Sequence, residues 1–316
     1  MPTVAPSLAP SPAAPFRIGS RASPLALAQA ALTVAALRAA HGWAEDAIRV
    51  VPVTTSGDRI QDRALAEIGG KALWTKELDR ALLAGEIDCA VHSMKDVETI
   101  RPDSLIVAAM LPRAAVEDRL IGAPSIAALP QGAIIGTSSP RRAAQLKALR
   151  PDLQTTLLRG NVARRLASVE AGDIHATLLA AAGLDRLGMA DTGAAIPVET
   201  MLPAVSQGAV GIECRADDSA TAALLAAINH RATERCVRAE RALLLALGGT
   251  CHSPIAALAR EQGGDIRLRA QILNEDGSEQ VNDEALLPDG ALAGAADLGA
   301  RLLGRASPAL RALFTP

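Results

Sequence analysis

In IDCAVHSMKDV an apolar run ends in His92, Ser93, Met94, Lys95 and Asp96, so a cation and an acid leave one strand end side by side. A carboxylate set among anion-binding cations can stabilise developing positive charge or move a proton. On an open surface the same Lys–Asp pair would contribute little. IGTSSPRRAAQLKALR offers a second kind of chemistry. A strand ends at Gly136, Thr137, Ser138 and Ser139 stand where a helix begins, and Arg141 and Arg142 open that helix. Free N–H groups and the positive end of the helix dipole attract anions there, and hydroxyls and guanidiniums strengthen the attraction. LLRGNVARRL repeats the arrangement with Arg159, Gly160 and Asn161, then Arg164 and Arg165; SRASPLAL adds a third helix start flanked by Arg21 and Ser23. Arginine grips a carboxylate through two parallel hydrogen bonds, so several forks suit a ligand with several carboxylates. None of these turns is a GxxxxGK[ST] loop, so no nucleotide is implied.

ALLLALGGTCHSPIAALA places Cys251 on a glycine-flanked loop between two apolar runs. Four roles stay open for it: nucleophile, metal ligand, attachment point, or small buried side chain. His252, adjacent in sequence, is poorly placed as a facing base, and no spaced partners point to a metal. Cys89, Cys214 and Cys236 are scattered without a CxxC pair, which argues against a disulfide or zinc framework. Lys71 and Trp74, in GGKALWTKEL, stand where a polar, glycine-bearing segment meets a helix, a place suited to a mobile lid.

The elements that must position these residues alternate along the chain. FRIGS, IRVVPVTT, IDCAVHS, LIVAAML, GAIIGTSS, TTLLRG and MLPAVSQGAVGIECR read as strands. Between them lie helical segments, the first being SPLALAQAALTVAALRAAHG with Ser23 as N-cap, Pro24 in its first turn and Gly42 at its end. LWTKELDRALLAGE, PRRAAQLKALR and VARRLASVEAG follow the same period. The alternation predicts an α/β fold with largely parallel sheets, in which ligands bind at the carboxyl ends of strands. The C-terminal part mixes a strand, IRLRAQIL, with a helix, AADLGARLLGRA, as a small α+β domain.

With 316 residues the chain is long enough for two or three domains, and at 49% hydrophobic but 1% aromatic its cores must be built from Leu, Ala, Val and Ile. A formal net charge of −2 argues against broad electrostatic binding to nucleic acid. Only four of the 32 basic residues are lysine, so the arginine clusters carry the cationic chemistry. MPTVAPSLAPSPAAP has neither the basic start nor the apolar run of an export signal and reads as a disordered tail. No apolar run reaches membrane-spanning length. A soluble, cytoplasmic protein is expected.

SRASPLAL, GGKALWTKEL, AVHSMKDV, GTSSPRR, LRGNVARRL, LPAVSQGAVGIECR and ERALLLALGGTCHSPIA occur in the order found in the porphobilinogen deaminase (hydroxymethylbilane synthase) family. The chain resembles that family from about Phe16 to its C-terminus, and VHSMKD and QGAVGIECR are highly specific strings. The resemblance implies two lobes like those of periplasmic binding proteins, with mostly parallel sheets, plus a small α+β domain. The expected divisions are a tail over 1–15, domain 1 over 16–112 and 208–228, domain 2 over 113–207 and domain 3 over 229–316. It also implies a dipyrromethane cofactor, built from substrate and held by a thioether on Cys251. On it four porphobilinogen units are added head to tail with loss of ammonia, and hydrolysis releases 1-hydroxymethylbilane for tetrapyrrole (haem) biosynthesis.

By resemblance Asp96 is the catalytic acid. Ser93, Lys95, Asp96, Thr137, Ser138, Ser139, Arg141, Arg142, Arg165 and Gln207 hold the cofactor. Arg21, Ser23, Lys71, Trp74, Arg159, Arg165 and Ala180 hold the substrate and growing chain. The family precedent is a monomer, with no metal, nucleic-acid or membrane partner. Four positions depart from the family pattern: Glu67 for lysine, Trp74 for phenylalanine, Pro140 for leucine and Thr250 for glycine. None removes a group the chemistry needs. A non-catalytic solute-binding protein of two lobes would explain the anion sites but neither the third domain nor the Cys251 loop. A thiol enzyme using Cys251 and His252 leaves the arginine clusters unexplained.

Overall fold

The computed structural model describes residues 10–55, 75–250, 253–288 and 291–314. Lys71, Trp74, Glu67 and Cys251 lie outside the described residues, as do residues 1–9 of the expected tail. Ser11 and Ala14, also in that segment, close a turn through reciprocal backbone hydrogen bonds of 3.1 and 3.0 Å.

Two five-stranded sheets carry the chemistry-bearing turns. The first contains β1 (Phe16–Arg21), β2 (Ile48–Val53), β3 (Cys89–Ser93), β4 (Leu105–Met110) and β10 (Val210–Arg215) in the order β2-β1-β3-β10-β4. β1 pairs in parallel with β2 and β3, and β10 runs against β3 and β4. The second contains β5 (Asp118–Ile121), β6 (Ile134–Gly136), β7 (Gln154–Thr156), β8 (Ala176–Ala180) and β9 (Ala194–Ala195) in the order β7-β6-β8-β5-β9. β6 is parallel to β7 and β8, and β5 is reversed against β8 and β9. The sheets therefore share one plan, in which the reversed strand is the one delivered by a crossover from the other sheet. The C-terminal part is an antiparallel sheet of β11 (Ile255–Gln262), β12 (Asp265–Leu273) and β13 (Gln280–Leu287).

Helices α1 (Pro24–His41), α2 (Lys76–Leu83), α3 (Pro140–Leu149), α4 (Val162–Glu170), α5 (Ala181–Arg186) and α6 (Ser219–Ala226) belong to the first two sheets. α7 (Arg231–Ala246) and α8 (Ala293–Arg305) cover the third. Their ends follow local rules. Ser23 accepts a hydrogen bond from Ala26 N at 3.3 Å, and Gly42, in the left-handed region at φ 69°, returns its N–H to Arg38 O at 2.8 Å. Ile18, Leu37, Cys89 and Ile212 pack in the core of the first sheet, and Leu120, Ile135, Leu146 and Leu178 in that of the second. Apolar aliphatic side chains on nearly every parallel strand fit sheets covered on both faces. No helix among the described residues is long and apolar enough to cross a membrane.

Three expected strands are much shorter in the structure; GAIIGTSS keeps only Ile134–Gly136 as strand. TTLLRG leaves the sheet after Thr156, makes one further bond from Leu158 N to Thr137 O at 3.3 Å, and turns through Gly160 at φ 112°. In MLPAVSQGAVGIECR only Val210–Arg215 is strand. Before it, Ser206 and Gly208 adopt φ 64° and 85°, and a Cβ on Gly208 would lie 2.6 Å from Ala114 O. The reason is that this segment runs against the outgoing crossover: Ala114 N bonds Gly208 O at 3.2 Å and Arg113 Nε bonds Gln207 O at 2.9 Å. Glu240 of α7, fully buried, fastens both crossovers and the third sheet together. Its carboxylate accepts from Arg113 Nη1 at 2.7 Å, Ser206 N at 2.6 Å and Ala259 N at 2.8 Å.

Candidate active site

β3 delivers Ser93 to its carboxyl end, where residues Met94–Asp96 form a single 3-10 turn. Met94 is fully buried and its N–H bonds Ala209 O at 3.1 Å. Opposite it stands Gly211, where any side chain would collide with Met94 Sδ. This anchor fixes the turn and leaves Lys95 and Asp96 half-buried, neither with a hydrogen bond or ion pair to a described residue. Burial pushes the Lys95 ammonium below its ordinary pKa, and Arg141 and Arg142 add to this against the opposing pull of Asp96 and Asp118. A cavity beside Asp96 is lined by Arg21, Ser23, Gln29, Thr75, His92 and Ser93 among others, with Gln29 Nε2 donating to Ser93 Oγ at 2.7 Å.

The second sheet contributes the opposite wall. Ser139 caps α3 by accepting from Arg142 N at 3.4 Å, and Thr137 Oγ1 accepts from Ser139 N at 3.1 Å, so both hydroxyl oxygens serve the helix start itself. Arg141 and Arg142 share Asp118, which the sequence reading does not single out. Its Oδ2 accepts from Arg141 Nη2 at 2.8 Å and its Oδ1 from Arg142 Nη2 at 2.7 Å and Gln207 Nε2 at 2.9 Å. The two guanidiniums hold the Asp118 carboxyl well below the usual carboxylate range despite its burial. Ala180, at the end of β8, pairs directly with Asp118 across the sheet. Asn161 caps α4, and Arg165 bonds Gly160 O at 3.0 Å and Ser138 Oγ at 3.4 Å. Burial and the neighbouring Arg142 and Arg159 pull Arg165 down to about 10, against the pull of Asp96.

These mutual influences bring the two walls together. Lys95, Arg141, Arg142, Arg159 and Arg165 crowd around Asp96 and Asp118, five cations to two carboxylates. Arg141 Nε and Gln207 Oε1 are buried without a hydrogen-bond partner among the described residues. Such a set has spare capacity for carboxylates and for an N–H donor.

Comparison with known proteins accounts for that capacity. Residues 16–223 match the model for "porphobilinogen deaminase, dipyromethane cofactor binding domain", and residues 234–306 that for the family's C-terminal domain. The chain belongs to the porphobilinogen deaminase family. It is 60% identical over 310 residues to the porphobilinogen deaminase of Sphingopyxis alaskensis, covering 96% of this chain and 98% of that one. The enzyme of Paracoccus denitrificans is 53% identical over 302 residues, covering 94% and 96% of the two chains. Among solved structures, the periplasmic aliphatic sulphonate binding protein of Escherichia coli aligns with a TM-score of 0.39 and 16% identity over 73% of this chain and 69% of its own.

A dipyrromethane carries several carboxylates and two pyrrole N–H groups, and the cation excess and the orphaned Gln207 Oε1 fit it. Arg186, the last residue of α5, bonds Gly208 O through one amino group at 2.7 Å and has a buried Nε without a hydrogen-bond partner among the described residues. Sequence reading passes over it because it follows an ordinary helical segment. Asp118 and Glu213 leave a clearer signal: each is an acid inside or at the edge of an apolar strand, which demands a buried partner.

Glu213 of β10 finds that partner in Arg101, whose Nε and Nη2 lie 2.8 and 2.9 Å from its two oxygens. Arg101 also reaches Asp79 at 2.6 Å and Glu98 at 2.8 Å. His92 and Arg101 pull the buried Glu213 carboxyl down to about 2, against the cost of desolvation. Its folded pKa is thus depressed, so its contribution is present above the ordinary glutamate value and lost as pH falls from about 4.5 towards 2. Burial pushes Asp79 upward and offsets part of this. We expect the Glu213→Gln variant to lose roughly 2–3 kcal/mol at pH 7 and to show a shallower decline below pH 4.5, measured by denaturant titrations at successive pH values.

Proposed function

We propose that this chain condenses four porphobilinogen units head to tail and hydrolyses the product to 1-hydroxymethylbilane. The observation that carries this is a carboxylate, Asp96, facing a surplus of cations inside the dipyrromethane-binding domain. When bound, the dipyrromethane supplies a free pyrrole α-carbon to be extended. Lys95, Ser138, Arg141, Arg142 and Gln207 are suited to hold it, with Ser93, Thr137 and Ser139 shaping the turns. Arg21, Ser23, Arg159, Arg165 and the Ala180 strand end are suited to grip the acetate and propionate of the incoming substrate. Asp96 takes the pyrrole N–H groups, on which positive charge grows once ammonia leaves the aminomethyl carbon. A fixed carboxylate there stabilises the transition state because it needs no reorganisation. The thioether on Cys251, the roles of Lys71 and Trp74, the three-domain division, a monomeric state and a cytoplasmic location complete this reading.

The intact mass of purified protein, with Ehrlich's reagent, tests it. A dipyrrole-sized adduct and pink colour are expected in the wild type and absent from Cys251→Ser. Wild type that remains unmodified after incubation with porphobilinogen or preassembled hydroxymethylbilane would leave only a binding protein.

A further inference from the structure

His92 and Glu213 are not explained by a single carboxylate at Asp96. Glu213 stands opposite Ala90 and Gly211 opposite His92 in the β3–β10 ladder, so His92 and Glu213 are diagonal neighbours on one face of the sheet. His92 Nε2 lies 3.0 Å from Glu213 Oε2, with the ring N–H not aligned on the oxygen. Glu213 is fully buried and clamped by both arms of Arg101. Nδ1 of His92 makes no hydrogen bond to a described residue, and His92 is among the residues that line the cavity with Asp96, Arg21 and Ser23. An imidazole that borders a cavity, beside a buried carboxylate, places a proton acceptor at the cavity wall.

The chemistry of the proposed function, on which this inference rests, needs such a group. Each condensation forms a C–C bond, breaks the aminomethyl C–N bond of the incoming unit and breaks the α-carbon C–H bond of the terminal pyrrole. The amine enters as ammonium and departs as ammonia, and the α-proton balances the step by converting that ammonia to ammonium. Asp96 must remain anionic while the pyrrole nitrogen is positive, so it is ill suited to hold the departing proton in the same instant. We infer that His92, set beside the buried Glu213 carboxylate, accepts the α-carbon proton and passes it to the departing ammonia.

The test uses full-length enzyme carrying its covalent group, mixed once with porphobilinogen that is unlabelled or deuterated at its free α-carbon. Stepwise adducts are followed by intact mass. His92→Gln is expected to keep its Ehrlich colour and to add each unit about 100-fold more slowly. From the second addition on, when the labelled unit is the terminal pyrrole, it should also show a primary isotope effect larger than that of the wild type, because proton removal becomes rate-limiting. Additions at the wild-type rate, or slowed additions with no increased isotope effect, would overturn the inference. Should His92→Gln fail to fold or to acquire the group, Glu213→Gln, which keeps the imidazole, decides by the same criterion. Wild type that adds no units at all would defeat the proposed function instead.

Discussion

Replacement of Asp96 by alanine is expected to leave the covalent cofactor in place and to lower kcat by about 1,000-fold, near 4 kcal/mol of lost transition-state stabilisation. Retention follows from the geometry. The turn is held by Met94 against Gly211 and by Met94 N to Ala209 O at 3.1 Å, and the Asp96 side chain makes no hydrogen bond to a described residue. Removing it therefore disturbs neither the fold nor the cations of the opposite wall. It does leave Lys95 and Arg165 with one fewer opposing charge, in a place where positive charge must grow during reaction. Asp96→Glu keeps the charge but moves it by one methylene, so it should recover part of the rate. Initial rates of hydroxymethylbilane formation, beside Ehrlich colour, provide the measurement. Near-normal turnover in Asp96→Ala would remove this carboxylate from the mechanism.

Asp118→Ala should be the most destabilising single change on the opposite wall. Asp118 is 1% exposed and its side chain is the shared counterion of Arg141 and Arg142, at 3% and 9% side-chain exposure. Its loss strands two buried guanidiniums and also frees Gln207 Nε2 from a 2.9 Å bond. Breaking a buried pair by removing one partner costs about 3–5 kcal/mol, since the remaining charge has no water to fall back on. A fall in Tm of roughly 10 °C follows, at a few degrees per kcal/mol for a chain of this size. Burial makes the effect insensitive to salt. Because the guanidiniums depress the Asp118 carboxyl, its contribution is complete above the ordinary aspartate pKa and fades as pH drops below it, so variant and wild type should converge in acid. Scanning calorimetry at two salt concentrations and at neutral and acid pH reads all three expectations. A shift of only a degree or two would mean that the arginines relax to solvent.

The same residue has a second effect worth measuring in that variant. Arg141 also donates to Gln145 Oε1 at 2.9 Å and Leu202 O at 2.8 Å, so it stays partly held without Asp118. Arg142 keeps only Leu178 O at 2.9 Å. Cofactor-depleted Asp118→Ala protein should thus take up preassembled hydroxymethylbilane more slowly than wild type.

Much of the site is written locally. Ser23, Ser139 and Asn161 cap their helices through bonds to the residue three positions on, a relation closed within one turn and readable from a short string. The alternation of apolar strands with such helices sets the α/β class and puts Arg21, Lys95, Asp96, Thr137 and Ala180 at strand ends. What the string alone leaves open is which charges meet. Arg141 and Arg142 look like free anion binders by position, yet their carboxylate partner lies 23 and 24 residues earlier on a strand reversed by a crossover. Arg101 meets Glu213 across 112 residues, and Glu240 meets Arg113 across 127. Helix caps are settled by bonds between near neighbours, whereas buried ion pairs are settled by which strand ends a crossover brings face to face, and only the tertiary structure fixes that.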